Sequence, residues 1–482
     1  MATATNLEFT RAEAPSQARG AELRKDLGLT DLVLAQILMV IVPEFFGAAV
    51  KAGSAQFAMW MLAILLFFVP QVLVVNHLNR SMPLEGGLYE WTRLAFNDLI
   101  GFVVACNLWL TFVLQVAQIA LVTTTYLAYA AGPKAAWIAS NRWVLFAASV
   151  ILVATLMFVA RLGLKVGKWV TNVGSFITLL TLSVLALMPF LNRASGTLSE
   201  YHPFRIAAPP LTLFSLSVFA KMTFGALSGF DYVAIFAGES RRPGRNLARS
   251  VLVAAPIIAL LYILGTSSIL AFVSPDAVDV IGPVPQALSL GFHAFGAGEI
   301  IARVVILMLL ANYLSSYAFY ISGAARLPMV AGWDHLLPDW FARLHARYKT
   351  PVNSILFVGC FSFVASLAVL IGVGHQEAFT LLQIWIFTCY ALAYLAMFAI
   401  PLFAAKRTGT RPAWWLRVAA ASGFLVTLLF VLLSVFPIIP VVSQAAYAFK
   451  TLLIVIGVNG LALVLYHFGR QKRPPHQPLT PH

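Results

Sequence analysis

Glu44, Lys221 and Asp231 are ionisable side chains that lie well inside long apolar stretches of this 482-residue chain. A charge near the centre of a bilayer costs roughly 3 kcal/mol or more, so such a residue usually faces a polar interior and has a function there. Glu44 is predicted to exchange a proton under the influence of Lys221, to form a structural ion pair with it, or to bind a substrate ammonium. Asp231 is predicted to cap or position a helix end.

The residues around Glu44 interrupt the first apolar stretch near its middle. Within VIVPEFFGAAV, residues 40–50, Pro43 removes a backbone hydrogen bond and Gly47 tolerates a bend. An unsatisfied backbone group is costly in hydrocarbon, so such a break is tolerated only where it lines a protected cavity. We therefore predict a substrate or ion site at this break, and a kinked packing helix is the alternative.

A second break is predicted in the sixth apolar stretch, KMTFGALSGFDYVAIFAGES, which has glycine and serine at its middle. The amino ends of half-helices offer free N–H groups to a carboxylate, and the opposing carbonyl groups suit an ammonium or a cation. Two such breaks match the two charged groups of an amino acid. The predicted substrate-binding residues are Val42, Pro43, Glu44, Phe45, Phe46, Gly47, Phe224, Gly225, Ala226, Leu227, Ser228, Gly229, Asn312 and Trp385.

The composition is that of an all-α polytopic membrane protein. The chain is 60% hydrophobic and only 10% charged, which leaves too much apolar surface for a soluble fold. At roughly 20 apolar residues per crossing, the sequence predicts twelve transmembrane spans. They lie near residues 29–50, 57–78, 99–130, 143–160, 169–191, 211–237, 249–273, 300–325, 352–372, 379–401, 413–436 and 447–468.

The basic residues indicate how the chain is oriented. Of 32 Lys and Arg residues, 24 fall on one side of the predicted spans. Basic loops accumulate in the cytoplasm, so both termini are predicted to be cytoplasmic, in a plasma or bacterial inner membrane. The net charge of +14 therefore comes mostly from basic residues that orient the chain and face anionic lipid, and nucleic acid is not an expected partner. Glu239, beside a basic cluster at the cytoplasmic end of span 6, is predicted to form a gate or to face lipid.

The two interrupted spans cross in opposite senses, which predicts an inverted repeat with a site at the midplane. The first repeat is predicted over residues 27–191 and the second over residues 211–401, each with five spans. Residues 413–468 would add two peripheral spans. Residues 1–26 and 469–482 are predicted to be cytoplasmic tails, and the proline-rich second tail is predicted to be disordered.

Three separate segments carry a resemblance to a known family: GALSGFDYVAIFAGESRRPGRNLARSV at 225–251, MPLEGGLYEWTRLAFND at 82–98 and LPDWFARLHARYKTP at 337–351. In these segments and in its twelve spans the chain resembles the amino acid-polyamine-organocation transporter superfamily. The resemblance implies a five-plus-five inverted repeat, discontinuous spans 1 and 6, alternating access, and amino acids or amines as substrates. The family's glycine-rich break in span 1 is replaced here by Pro43, Glu44 and Gly47.

These features favour a secondary active transporter for amino acids, with a proton as the coupling ion. Exchange of amino acids or amines, transport of polyamines or other cationic amines, and a non-transporting sensor or channel on the same scaffold remain alternatives. An enzyme is disfavoured because no helical metal pair or nucleophile elbow is present, and no cofactor is expected. The three cysteines, Cys106, Cys360 and Cys389, are predicted to be buried packing residues without metal or disulfide roles.

Overall fold

The computed structural model describes residues 25–471, except 85, 163, 296–297, 334–336, 347, 349, 370–374 and 405–411. Most of the two predicted tails therefore lies outside the described residues. The α-helices are α1 Leu29–Val40, α2 Glu44–Val50, α3 Gln56–Ala63, α4 Val69–Ser81, α5 Leu88–Ala95, α6 Asp98–Ala117, α7 Ile119–Ala131, α8 Trp137–Ser140, α9 Arg142–Arg161, α10 Leu164–Ala194, α11 Leu213–Leu227, α12 Pro243–Leu270, α13 Pro283–Phe292, α14 Gly298–Trp333, α15 Val352–Val369, α16 His375–Phe403, α17 Trp414–Leu433 and α18 Gln444–Gln471.

Shorter helical turns complete these elements. A π-helical turn, Ile64–Phe68, joins α3 to α4, and a 3₁₀ helix, Tyr232–Glu239, follows α11. Two further 3₁₀ turns lie at Gly53–Ala55 and Pro133–Ala135. Over the described ranges the chain has no β-strand and only one isolated β-bridge, between Leu27 and Ser240.

Ten helical segments of the described chain are long and apolar enough to cross a membrane, and the bent pair α1–α2 brings the number to eleven. This is the architecture of a polytopic membrane protein. The remaining predicted span coincides with α15, whose apolar stretch Val352–Leu367 is shorter than the other spans. The prediction of twelve spans therefore stays a prediction.

Both predicted helix breaks are confirmed. α1 ends at Val40 and α2 begins at Glu44, and the two axes differ by 52°. α11 ends at Leu227, where Ser228 is extended and Gly229 has a φ of +129°. That conformation strains a residue with a β-carbon, so the glycine makes the break possible.

The broken helices lie at the centre of the helix packing. α1 packs against α10 and α12, and α12 also packs against α4. A second group, α6, α7, α9, α14 and α15, packs together on the other side, and α16 contacts α6 and α17. α18 is largely exposed to the surroundings of the bundle, which fits a peripheral position.

The predicted loop after span 2 contains helix α5. It starts after Gly87, whose φ is +51° and whose backbone lies against the 3₁₀ helix Tyr232–Glu239. A β-carbon on Gly87 would lie 3.0 Å from the backbone of Ala234 and Ile235, so only glycine permits this approach. The loop thereby supports the inner half of span 6.

The prediction that all three cysteines are buried is wrong for Cys360. Cys389 is buried and Cys106 is half-buried, but Cys360 lies on the exposed face of α15. An apolar thiol is tolerated there because the outer surface of a membrane bundle is itself apolar.

Candidate functional site

The break in span 1 is stabilised by a tyrosine from a distant helix. The backbone N–H of Val42 donates to the hydroxyl of Tyr262 (2.9 Å), and that hydroxyl donates to the carbonyl of Val40 (2.9 Å). Tyr262 lies on α12, 220 residues along the chain from Val42. The backbone groups released by the break are therefore satisfied without water, as a membrane interior requires.

The break in span 6 is stabilised in the same way from span 2. The amide nitrogen of Gln71 on α4 donates to the carbonyl of Leu227 (2.6 Å), in the amide orientation that satisfies both of its ends. The N–H of Gly229 donates to the hydroxyl of Tyr394 on α16 (2.7 Å). The break in span 1 is thus held by Tyr262 of span 7, which follows span 6. The break in span 6 is held by Gln71 of span 2, which follows span 1.

Asp231 lies directly after the span 6 break and is 1% exposed. Its Oδ1 accepts hydrogen bonds from the hydroxyls of Tyr390 and Tyr394, both at 2.6 Å. The carboxylate does not cap the following helix, since no side-chain bond to that helix end is formed. It connects the inner half of span 6 to α16. Of the two predicted roles, capping or positioning a helix end, this contact is compatible with positioning.

Two small cavities lie between the breaks. The span 1 cavity, about 10 Å³, is lined by Ile41, Val42, Pro43, Glu44, Gln115, Gln118, Asn312, Tyr313, Ser316, Tyr317 and Tyr320. The span 6 cavity, also about 10 Å³, is lined by Met39, Val42, Thr111, Phe112, Gln115, Gly225, Ser228, Tyr320, Ile386, Phe387 and Tyr390. Because they share Val42, Gln115 and Tyr320, the two cavities adjoin at the centre of the fold.

A third cavity, which we call the outer cavity, lies between helices α2, α11, α16 and α17. This outer cavity, about 70 Å³, is lined by Glu44, Phe45, Ala48, Lys221, Val280, Phe379, Thr380, Gln383, Phe387, Phe430, Ile438 and Ile439. Glu44 lines both the outer cavity and the span 1 cavity. The carboxylate therefore lies at the junction between these two cavities.

Glu44 is 5% exposed, and neither of its carboxylate oxygens makes a hydrogen bond of normal geometry, although the hydroxyl of Tyr313 lies beside the carboxylate. The predicted pair with Lys221 is not formed in this conformation. Lys221, also 5% exposed, lines the same outer cavity but donates its Nζ to the carbonyl of Phe436. Two opposite charges thus face one cavity without contact.

The remaining predicted residues differ in their positions. Asn312 lines the span 1 cavity, where its Oδ1 accepts from Thr178 (2.7 Å). Phe224, predicted as a substrate-binding residue, packs between Phe430 and Tyr394 and lies outside the lining of these three cavities. The others outside those linings are Phe46, Gly47, Ala226, Leu227, Gly229 and the half-buried Trp385.

The sequence prediction did not assign the tyrosines of this site to substrate binding. Tyr313, Tyr317 and Tyr320 lie on one face of α14, and all three interact electrostatically with Glu44. These tyrosines are spaced by four and three residues in an apolar helix, and this helical periodicity can be seen in the sequence alone. Tyr262, Tyr390 and Tyr394 gave no comparable signal, because their partners are remote in sequence.

The opposite end of the bundle is closed by residues that we call the inner closure: Lys25, Leu27, Glu239, Ser240 and Arg326. Arg326 donates from Nε and Nη2 to Oε1 of Glu239 (2.9 and 2.5 Å), and both side chains are buried. The N–H of Leu27 donates to the carbonyl of Glu239 (3.1 Å) and Lys25 donates to that of Gly238. Glu239 is therefore a buried contact between spans 1, 6 and 8, not a lipid-facing charge.

We expect Gly225→Ala to destabilise the contact between the two breaks. A β-carbon at Gly225 would lie 2.0 Å from Cε1 of Phe45, so the ring or the helices must move. Such overpacking costs about 1–3 kcal/mol, which lowers the thermal unfolding temperature of the purified protein. Gly457→Ala is the matched control, since a β-carbon there meets nothing within 4 Å. Equal unfolding temperatures for the two variants would contradict the expectation.

Comparison with known proteins agrees with this geometry. A family model described as amino acid permease matches residues 28–459. The chain is similar to an uncharacterized transporter of Legionella pneumophila (25% identity, covering 78% of this chain and 80% of the relative). It is also similar to the branched-chain amino acid permease BcaP of Bacillus subtilis (24% identity, 75% and 80%) and to the probable agmatine/putrescine antiporter AguD of Lactococcus lactis (21% identity, 79% of each chain).

Proposed function

This chain belongs to the amino acid permease family, and we propose that it is a secondary active transporter that moves amino acids across a membrane by alternating access. The observation that carries the proposal is the meeting of two broken helices around a buried carboxylate. Val42 and Glu44 from one break and Gly225 and Ser228 from the other line adjoining cavities. Backbone breaks that line a central cavity are the usual construction of transporter substrate sites.

The reciprocal support of the breaks favours the inverted repeat. Gln71 follows the first broken helix and holds the second, whereas Tyr262 follows the second and holds the first. We assign residues 27–191 and 211–401 to the two repeats and residues 413–468 to peripheral helices. Both termini are assigned to the cytoplasm of a plasma or bacterial inner membrane, which places the inner closure on the cytoplasmic side.

A proton is the proposed coupling ion, and Glu44 is its carrier. The carboxylate is buried between the outer and span 1 cavities and makes no hydrogen bond of normal geometry. A buried carboxylate without a counter-ion is strongly favoured to bind a proton. Symport of a proton with an amino acid follows when Glu44 loads from one side and unloads to the other.

Transport of cationic amines, or their exchange, is the second candidate. A buried carboxylate at the substrate site suits an ammonium group, and the Lactococcus relative bears the name of an agmatine/putrescine antiporter. An exchanger would require substrate inside the vesicle and no proton gradient. The two candidates therefore differ in a single transport experiment.

The test is uptake by the purified protein in liposomes, with a radiolabelled panel of amino acids and polyamines. We expect at least one amino acid to accumulate when an inward proton gradient is imposed, and not without it. Uptake that needs internal substrate but no gradient would identify an exchanger. Uptake of amines alone would identify the second candidate, and binding without accumulation would indicate a sensor or a channel.

A further inference from the structure

The outer cavity contains two buried charged side chains of opposite sign, and they are the only charged residues in its described lining. Glu44 makes no hydrogen bond of normal geometry, and Nζ of Lys221 donates to a neutral carbonyl, that of Phe436. Each side chain is 95% removed from solvent. A buried charge without an opposite charge is strongly destabilising, so both groups are poised to accept a partner.

Each charge accepts a different partner. While it carries its proton, the ammonium of Lys221 can be paired only by an anion, which is either the carboxylate of Glu44 or a carboxylate that enters the cavity. Glu44 has an additional choice, because a proton neutralises it directly. Once Glu44 is protonated it no longer attracts Lys221, and the ammonium of Lys221 is left for an incoming carboxylate.

We infer that Lys221 binds the carboxylate of the substrate and that Glu44 competes with the substrate for Lys221. This inference rests on the proposed transport of amino acids. Protonation of Glu44 removes the competitor, so proton and substrate bind together. Release of the proton restores the competitor and expels the substrate carboxylate. By linkage, the factor by which a proton strengthens substrate binding equals the factor by which substrate strengthens proton binding.

The rest of the outer cavity suits the other parts of an amino acid. The amide oxygen and nitrogen of Gln383 both lack hydrogen-bond partners, so this side chain offers an acceptor to the substrate ammonium. The remaining lining is mostly aromatic and aliphatic, with Phe45, Phe379, Phe387, Phe430, Ile438 and Ile439. Such a wall favours an apolar substrate side chain.

The surroundings of Glu44 bear on its proton exchange, and Lys221 is the only cation in the described lining of the outer cavity. The titratable groups that interact electrostatically with Glu44 are hydroxyls of tyrosines from α7, α12 and α14: Tyr126, Tyr262, Tyr313, Tyr317 and Tyr320. α13 packs on α2 and contributes no titratable side chain. Within the described lining of the outer cavity, Lys221 is thus the one cation that an unprotonated Glu44 can attract.

Equilibrium binding of matched ligand pairs tests the inference. Each pair is an amino acid and the amine that lacks its carboxylate: leucine with 3-methylbutylamine, phenylalanine with 2-phenylethylamine, and arginine with agmatine. We expect Lys221→Met to weaken binding of the amino acid by about 10- to 100-fold, the value of a charge-assisted hydrogen bond, and to leave the amine unaffected. Lys221→Arg should retain the preference for the amino acid, and Lys51→Met, which removes a lysine outside the cavity lining, is the control.

The pH dependence is a second readout. Wild-type protein should bind the amino acid more tightly at acidic than at alkaline pH, because protonation of Glu44 frees Lys221. Glu44→Gln imitates the protonated state, so its affinity should be high and independent of pH. A purely structural role of Lys221 would leave the pH dependence intact and weaken both members of a pair equally.

Several results would overturn the inference: unchanged amino acid binding in Lys221→Met, equal loss for acid and amine, or no binding of any pair. Tighter binding of the amine, abolished by Glu44→Gln, would show instead that Glu44 recognises the ammonium. The proposed function is judged separately by accumulation in liposomes. If the binding results are as expected but no amino acid accumulates, the proposed transport is wrong and the assignment of Lys221 stands.

Discussion

Glu44→Gln is expected to abolish proton-driven accumulation while binding and exchange of substrate survive. A gradient of two pH units is worth about 2.7 kcal/mol per proton, so one proton per substrate supports about 100-fold accumulation. Glutamine has nearly the same shape but carries no transferable proton. The ratio of internal to external substrate should therefore fall to about one, because the variant only equilibrates its substrate.

The measurement is uptake into liposomes whose membrane voltage is held at zero with potassium and valinomycin. Exchange is followed in the same vesicles after they are loaded with unlabelled substrate. Glu200→Gln is the matched control, because Glu200 lies on an exposed loop with 79% of its side chain accessible. Accumulation by Glu44→Gln equal to that of the wild type would show that another group carries the proton. Loss of exchange together with accumulation would show that Glu44 is needed for binding.

Glu239→Gln is expected to open the inner closure. Glu239 and Arg326 form a buried, doubly hydrogen-bonded pair, and the Arg326 guanidinium also lies 4.6 Å above the ring centre of Phe236. Removal of one partner from such a buried pair costs about 3–5 kcal/mol, because Arg326 loses the two charge-assisted bonds to Glu239 that offset its burial. Opening of this end of the bundle lets water reach Arg326. The variant should therefore favour the conformation open at the inner closure by about 100-fold or more.

Thiol labelling measures this shift. Ser228→Cys places a reactive group at the span 6 break, where the serine is buried and its hydroxyl has no partner. In a background without the three native cysteines, a soluble maleimide should label Cys introduced there far faster when Glu239→Gln is present. Glu299→Gln is the control, because its pair with Arg303 is exposed and worth about 1 kcal/mol or less. Unchanged labelling by Glu239→Gln would exclude a closing role for the pair.

The sequence by itself determined the features that depend only on residues close to one another along the chain. Apolar stretches predicted the long helices, because a membrane interior forces backbone groups to bond within one helix. Pro43 and Gly229 predicted the two breaks, because the loss of an N–H and a positive φ are local properties. The cost of burying a charge predicted a function for Glu44 and Lys221; both line the outer cavity, and their roles stay predictions.

Tertiary structure decided which side chains meet. Tyr262 and Gln71 hold breaks that lie more than 150 residues away in the chain, and Arg326 pairs with Glu239 across 87 residues. In the tertiary structure Phe224 packs between α11 and α17, and Trp385 lies outside the site. Composition and spacing describe one helix at a time, whereas these contacts depend on how the helices pack around one another. A hydrogen bond between distant residues follows only from that packing, because its strength depends on atomic distance and not on separation along the chain.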